Sequence, residues 1–384
     1  MNYLLLTGPI APQPGNNAKL IGSVILELNK NHTTELVALL PQRSDVQPPK
    51  TIFGCTVHWA ANKRSGFKRR LLYPLRGKLL DRNGYSDEIQ RCLLLEEAKK
   101  HPAEAVISTM EPFLAAMAAI GMYGKKILYL MDPPNEICGK ASTPYRARNL
   151  RRVLCSQDTI LTTPFIRQSL LEQGYKVLEQ KLIPVGFPMI VDRHLVQQQE
   201  RDDRIHLLFC GWLYSDIRSP NYFLAILSRL DERFVVTFMG RECEKLTERF
   251  DVQTKAELIT LPQQPYETAL QAMADADVMI NIGNSVPVHM PSKTLEYINT
   301  GKPFVNFYKM DDCPTLFYTK RYPLCLNMSE KDTDLDAAAQ RFIDFCVSSK
   351  GKTVDRTFLE TQYADCTPQY IAQKILDALG ETNG

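Results

Sequence analysis

One pattern, repeated along the length of the chain, limits its folding most. A short continuous apolar run leads into a loop of glycine, proline or polar residues, and then into a stretch with helical spacing. Tyr3–Thr7 is the first such run; a Pro/Gly loop follows, and Leu20, Ile21, Val24, Ile25 and Leu28 then recur at helical intervals. The pattern returns at Glu35–Leu40, Cys55–Trp59, Ala105–Ser108, Lys126–Met131, Thr159–Thr163 and Lys181–Val185, with helical stretches at Asp87–Lys100, Leu114–Met122 and Pro164–Gln173. Runs that are apolar throughout predict strands buried on both faces, as in parallel sheets, rather than half-exposed antiparallel strands. The polar interlude Gln197–Arg204 has no apolar face and reads as a linker. After it the same pattern restarts, with strands predicted at Ile205–Cys210, Phe234–Met239, Leu258–Leu261, Asp277–Ile282 and Phe304–Phe307, and helices at Asn221–Leu230 and Tyr266–Ala274.

The expected class is therefore α/β, with two Rossmann-like domains whose parallel sheets face each other across a cleft. The first covers residues 1–195 and the second 205–355, and residues 356–384 form a C-terminal helical segment. In that segment Ile371, Ile375 and Leu379 form an apolar stripe that needs a partner. A length of 384 residues suits two domains on a prior of about 100–200 residues each. The net charge of +3 is too small to argue for nucleic-acid binding. The opening MNYLLLTGPIAPQPG has no basic region before its apolar run and reads as a first strand rather than a signal peptide. No stretch reaches the roughly 20 apolar residues a spanning helix needs. Ten scattered cysteines without a C-x-x-C pair are expected to be reduced thiols, as in the cytoplasm.

Chemistry concentrates in Met290–Pro303, MPSKTLEYINTGKP. A buried strand precedes it. Pro291-Ser292 opens a short helix in which Leu295, Tyr297 and Ile298 face inward, and Gly301 ends it in the left-handed conformation. Unpaired amides at such a helix start favour anions. Ser292 can cap and donate, and Lys293 adds positive charge. Glu296, one turn on, can face the same ligand. Backbone amides for a phosphate and a carboxylate for paired hydroxyls fit a nucleoside diphosphate.

The run S-K-x-x-E-Y-x-x-x-G-K-P resembles the nucleotide-sugar signature of GT-B glycosyltransferases, in the large retaining family that includes sucrose-synthase-like and bacterial polysaccharide enzymes. The resemblance implies that Glu296 binds the donor ribose and that Ser292 and Lys293 lie at the diphosphate. Many members carry a second glutamate where this chain has Val288. The loop after the first strand implies donor contacts from Gly15 and Asn16, where a plain tight turn is the alternative. In the second half Gly211 matches the family's glycine, Trp212 replaces the arginine that directly follows it there, and Arg218 stands for a later cation at the diphosphate. Glu111 and Asp132 end predicted strands on the acceptor side. Asp132 stands where relatives often have a histidine, although Asp-Pro-Pro is equally a turn initiator. Asp132, Arg218 and Lys293 are the implied catalytic residues.

The resemblance further implies that residues 356–384 cross back to the first domain, and that the activity is hexosyltransferase-like, metal-independent transfer with retention, from a nucleotide sugar to a glycan or lipid-linked acceptor in cell-surface polysaccharide synthesis. The donor is a substrate and no cofactor is expected. His58, His194, His206 and His289 show no metal spacing. A nucleotide-sugar epimerase of the same fold and a catalytically silent partner subunit are the alternatives. Finally, Lys63, Arg64, Lys68, Arg69, Arg70, Arg76, Lys78 and Arg82 give eight positive charges against Asp81 alone, interleaved with Phe67, Leu71, Leu72, Tyr73, Leu75, Leu79 and Leu80. This mixture predicts an anionic membrane surface as partner, and a peripheral place at the inner face of the plasma membrane.

Overall fold

The computed structural model describes residues 2–7, 16–40, 48–60, 82–111, 113–135, 137–138, 142–193, 202–213 and 218–381. The side chains of residues 16–19 and 82–86 are outside this description. So are Gly15, most of the 197–204 interlude and all of the basic stretch except the backbone of Arg82.

The chain forms two compact units, Met1–Pro188 with Asp365–Gly384, and Met189–Ala364. The first contains β1 (Asn2–Thr7), β2 (Thr33–Leu39), β3 (Thr51–Ile52), β4 (Cys55–Ala60), β5 (Ala105–Thr109), β6 (Lys125–Leu130), β7 (Thr159–Thr162) and β8 (Leu182–Pro184). Their order across the sheet is β3-β4-β2-β1-β5-β6-β7-β8, parallel except where the short β3 pairs with β4. The second contains β9 (Ile205–Cys210), β10 (Phe234–Met239), β11 (Glu257–Leu261), β12 (Val278–Ile282), β13 (Phe304–Tyr308) and β14 (Cys325–Ser329). They lie in the order β11-β10-β9-β12-β13-β14, all parallel. That is the doubly wound order of a Rossmann sheet. Both units thus carry the parallel α/β architecture expected from the apolar runs.

Continuous burial explains the parallel pairing. Leu4, Leu5 and Leu6 of β1 and all five residues of β12 lie inside. Phe209, Phe223, Phe238, Phe307 and Phe342 meet ring to ring in the core of the second unit. A buried polar ladder fixes the register of its outer strands. Asn281 Nδ2 donates to Asn306 Oδ1 at 2.7 Å, and Asn306 Nδ2 donates to Asn327 Oδ1 at 2.8 Å. A one-residue slip would turn these amides to the opposite face and leave them unsatisfied.

The C-terminal helix Pro368–Leu379 belongs to the first unit, where it packs on Asn16–Leu28 with Ile371 and Ile375 fully buried. Thr367 caps its start and Gly380 ends it in the left-handed conformation. Tyr3 Oη donates to Glu381 at 2.9 Å just beyond. The preceding helix, Arg356–Gln362, instead stays with the second unit, because Arg356 Nη1 donates to Asn299 Oδ1 at 2.7 Å and Tyr363 Oη to the Tyr318 carbonyl at 2.9 Å. Among the described residues no helix is long and apolar enough to cross a membrane.

Candidate functional site

In an open parallel sheet, ligands bind beyond the strand C-termini where the strand order reverses. In the second unit that point lies between β9 and β12. β9 ends at Cys210 and runs into Gly211; β12 ends at Ile282 and runs into Gly283 and Asn284. Gly240, after β10, takes φ +136°, and a side chain there would collide with the Gly211 carbonyl, so glycine lets the two strand ends close on each other. Asn284 is buried and shapes the next loop. Its Oδ1 accepts from Val286 N at 3.1 Å, and its Nδ2 donates to the His289 carbonyl at 3.2 Å.

The loop delivers the helix Lys293–Asn299. Leu295, Tyr297 and Ile298 face inward as their spacing requires, and Gly301 ends the helix at φ +72°. Tyr297 locks it to the sheet. Its hydroxyl accepts from Cys210 N at 3.0 Å and donates to the Cys210 carbonyl at 3.1 Å.

Two expectations for this segment change. Ser292 does not cap the helix: its backbone is already helical, and its side chain makes no capping bond. With seven residues the helix also has a weaker dipole than a long one, so side-chain charge carries the attraction for an anion. Lys293 and Glu296, expected side by side on a ligand, instead form an ion pair with each other. Glu296 is only 7% exposed and Lys293 26%. Burial pulls the Lys293 ammonium down, but the Glu296 carboxylate outweighs it and holds the group above its ordinary value. The pair is thus a preformed, charged floor next to the end of β9.

Arg218 lies close to the end of β9 and acts electrostatically on Tyr297. A Cβ placed on Gly211 would lie 3.7 Å from Arg218 Nη1, so the guanidinium covers the glycine. Four further residues near the strand C-termini of this unit were not singled out from the sequence. Arg241, just after β10, stacks its guanidinium on the Trp212 ring, 3.9 Å from the centroid. A cation therefore stands beside the position where Trp212 replaced one. Tyr266 opens the next helix beneath the Arg193 guanidinium, 5.5 Å from the ring centroid. Burial, with Glu296 adding to it, pushes the Tyr266 phenol up. Past β14, burial pushes Glu330 up to about 7, with Lys309 pulling the other way from 3.9 Å. Arg193, Arg241, Tyr266 and Glu330 belong to no local motif; only the fold brings them to the sheet edge.

In the first unit Glu111 and Asp132 follow β5 and β6. Glu111 is ion-paired to Arg146, whose guanidinium also lies 5.2 Å from the Phe113 centroid. Arg146 belongs to the helix Pro144–Cys155, capped by Thr143 and not anticipated from the sequence; its arginines lie off the buried face of Tyr145, Leu150, Val153 and Leu154. Asp132 is half-buried and near enough to Tyr129 to help burial push that phenol up. Asn16 opens the helix after β1, with Gly15 outside the description.

The Tyr297 lock gives a direct test. Tyr297→Phe leaves a buried Cys210 N–H without its partner, so the urea midpoint should fall by the equivalent of about 1–3 kcal/mol. An unchanged midpoint would mean that the helix is held by packing alone.

No family model matches the chain, and no curated protein matches its sequence. Solved structures do match. The apo lipopolysaccharide outer core galactosyltransferase WaaB is 12% identical, with a TM-score of 0.59 over 99% of both chains. Alr3699/HepE from Anabaena, solved with UDP and glucose, is 12% identical, with a TM-score of 0.59 over 100% of both chains. A sucrose-phosphate synthase from Thermosynechococcus elongatus is 12% identical, with a TM-score of 0.61 over 98% of this chain and 97% of that one. At this identity the likeness is one of fold, and the fold is that of the GT-B glycosyltransferases.

Proposed function

We propose that the protein is a glycosyltransferase. It moves a sugar from a nucleoside diphosphate to a glycan or lipid-linked acceptor, with retention and without a metal at the diphosphate. The observation that carries this reading is the charged floor at the β9/β12 switch point: buried Glu296 held by Lys293, fixed to β9 through Tyr297, with Arg218 over Gly211. A carboxylate in this position can accept from both hydroxyls of a ribose. As the bond to the sugar breaks, the leaving diphosphate gains charge, and Arg218 and Lys293 would stabilise it in place of a metal. The names of the fold's neighbours agree with this reading: WaaB is a galactosyltransferase, and HepE was solved with UDP and glucose. Asp132 and Glu111 are assigned to the acceptor, with Asp132 the catalytic member of the pair, on the strength of the family resemblance.

Calorimetry with UDP, GDP, ADP and dTDP in EDTA tests the nucleotide part. At least one should bind, and Glu296→Ala should weaken it by about 1–3 kcal/mol, the range for a lost hydrogen bond to a charged group. Binding of none would refute the reading. Radiolabelled donors incubated with and without a lipid extract then separate transfer from epimerisation and from a silent subunit.

The membrane reading rests on the charge of the stretch from Lys63 to Arg82. Each basic residue near an anionic surface contributes about 1 kcal/mol, so the stretch would hold the protein at a bilayer that presents a lipid-linked acceptor. The protein should co-sediment with anionic vesicles, and release at high salt and on changing Lys68, Arg69 and Arg70 to serine. Equal binding to neutral vesicles would contradict this.

A further inference from the structure

The first unit gathers three ligand-type side chains away from the strand C-termini. Glu35 lies near the start of β2 and His58 in β4, the neighbouring strand. Val37 pairs with His58 in the register, and side chains alternate along a strand, so Glu35 and His58 share one face. The helix Arg82–Ala98 covers that face, its Leu94 and Ala98 packing with Val37, Leu39 and Ala60. The turn after it, closed by His101 N donating to the Ala98 carbonyl at 3.0 Å, brings His101 to the same spot. His58 Nε2 lies 2.8 Å from Glu35 Oε2, and His101 Nδ1 lies 3.2 Å from the same oxygen. One ligand atom from each residue falls within 4.8 Å of the other two.

His101 sits between two carboxylates. Nδ1 faces Glu35, while Nε2, buried and without a hydrogen-bond partner, faces Glu97 Oε1 at 3.7 Å. A neutral imidazole has one lone pair, which in either tautomer would point at a carboxylate oxygen. The arrangement therefore calls for a cation. His58 directs a second ring nitrogen at the same Glu35 oxygen, so three ligand-type side chains converge on one point.

We propose that Glu35, His58 and His101 bind a divalent transition-metal ion of the zinc class. Two imidazoles and one carboxylate suit zinc, cobalt or nickel, whereas calcium and magnesium favour oxygen ligands. With Nδ1 on the metal, Nε2–H of His101 faces Glu97, the carboxylate partner that a ligating histidine characteristically has. The His58 and His101 rings stack with centroids 3.5 Å apart, so a small tilt of the rings would turn both lone pairs onto one ion. Both rings are about one-fifth exposed and Glu35 43%, so solvent reaches the cluster. The ion would clip the end of the helix to the outer strands of the sheet, and an ion bound only by the folded state stabilises it. This inference is independent of the donor site.

The test uses the full chain, stripped with EDTA and dialysed free of it. Cobalt titration should show one equivalent bound, with d–d bands and no thiolate-to-metal charge transfer, which separates this site from the ten cysteines. Zinc should raise the melting temperature. Both effects should vanish in the His58→Ala, His101→Ala double variant, checked for folding by circular dichroism. Should that variant not fold, NMR of the wild-type rings decides: cobalt should broaden His58 and His101 among the six histidines. No saturable binding, which would leave a protonated His101 as the cation, overturns the proposal. So does binding that survives the double variant, or broadening of other histidines instead.

Discussion

The second unit depends on the two hydrogen bonds between the Tyr297 hydroxyl and the backbone of Cys210. β9 lies at the centre of its sheet and ends at Cys210, its last residue in register with β10. Tyr297 satisfies both the N–H and the carbonyl, and in doing so fixes how far the Lys293–Asn299 helix stands from the strand end. Gly211, Glu296 and Lys293 are then placed relative to one another by one rigid side chain. A tyrosine hydroxyl suits this role because it both accepts and donates, and burial pushes it far above its ordinary range, so it stays neutral.

The opposite end of this helix is held as well. Asn299 Nδ2 donates to the Val191 carbonyl at 2.9 Å, and its Oδ1 accepts from Val191 N at 3.0 Å and from Arg356 Nη1 at 2.7 Å. The helix thus has its first residues at the charged floor and its last ones clamped to the strap that enters the second unit. With the asparagine ladder across β12, β13 and β14, polar groups set the geometry while the phenylalanine core supplies the burial. Such networks specify one arrangement only when each member is satisfied, as these are.

Most strands were legible because each is a largely apolar run bounded by glycine, proline or polar residues, a signal that survives without tertiary context; β3, two residues long, and β14, whose sequence CLNMS mixes polar and apolar residues, were not. The Met290–Pro303 segment was legible for the same reason, with its inward residues and terminal glycine both local. What the sequence did not reveal was pairing over distance. Ser292 resembled a cap, but the backbone enters the helix one residue early. Lys293 and Glu296 are one helical turn apart, and burial of Glu296 favours a bond to its neighbour over one to solvent. Trp212 looked like a loss of charge until the fold set Arg241 against its ring. Pro144–Cys155 was missed although its Thr-Pro start and its apolar face are local signals, and with it the partner of Glu111. Glu35, His58 and His101 share no spacing motif; a parallel pairing and a helix end bring them together.

The central claim is that the floor between β9 and β12 receives a nucleoside diphosphate. A crystal structure with whichever of UDP, GDP, ADP or dTDP binds best tests it most directly. The account predicts ribose hydroxyls on Glu296 and phosphate oxygens on Arg218 and Lys293, with Tyr297 still bonded to Cys210. A nucleotide bound elsewhere, with the Lys293–Glu296 pair untouched, would contradict it.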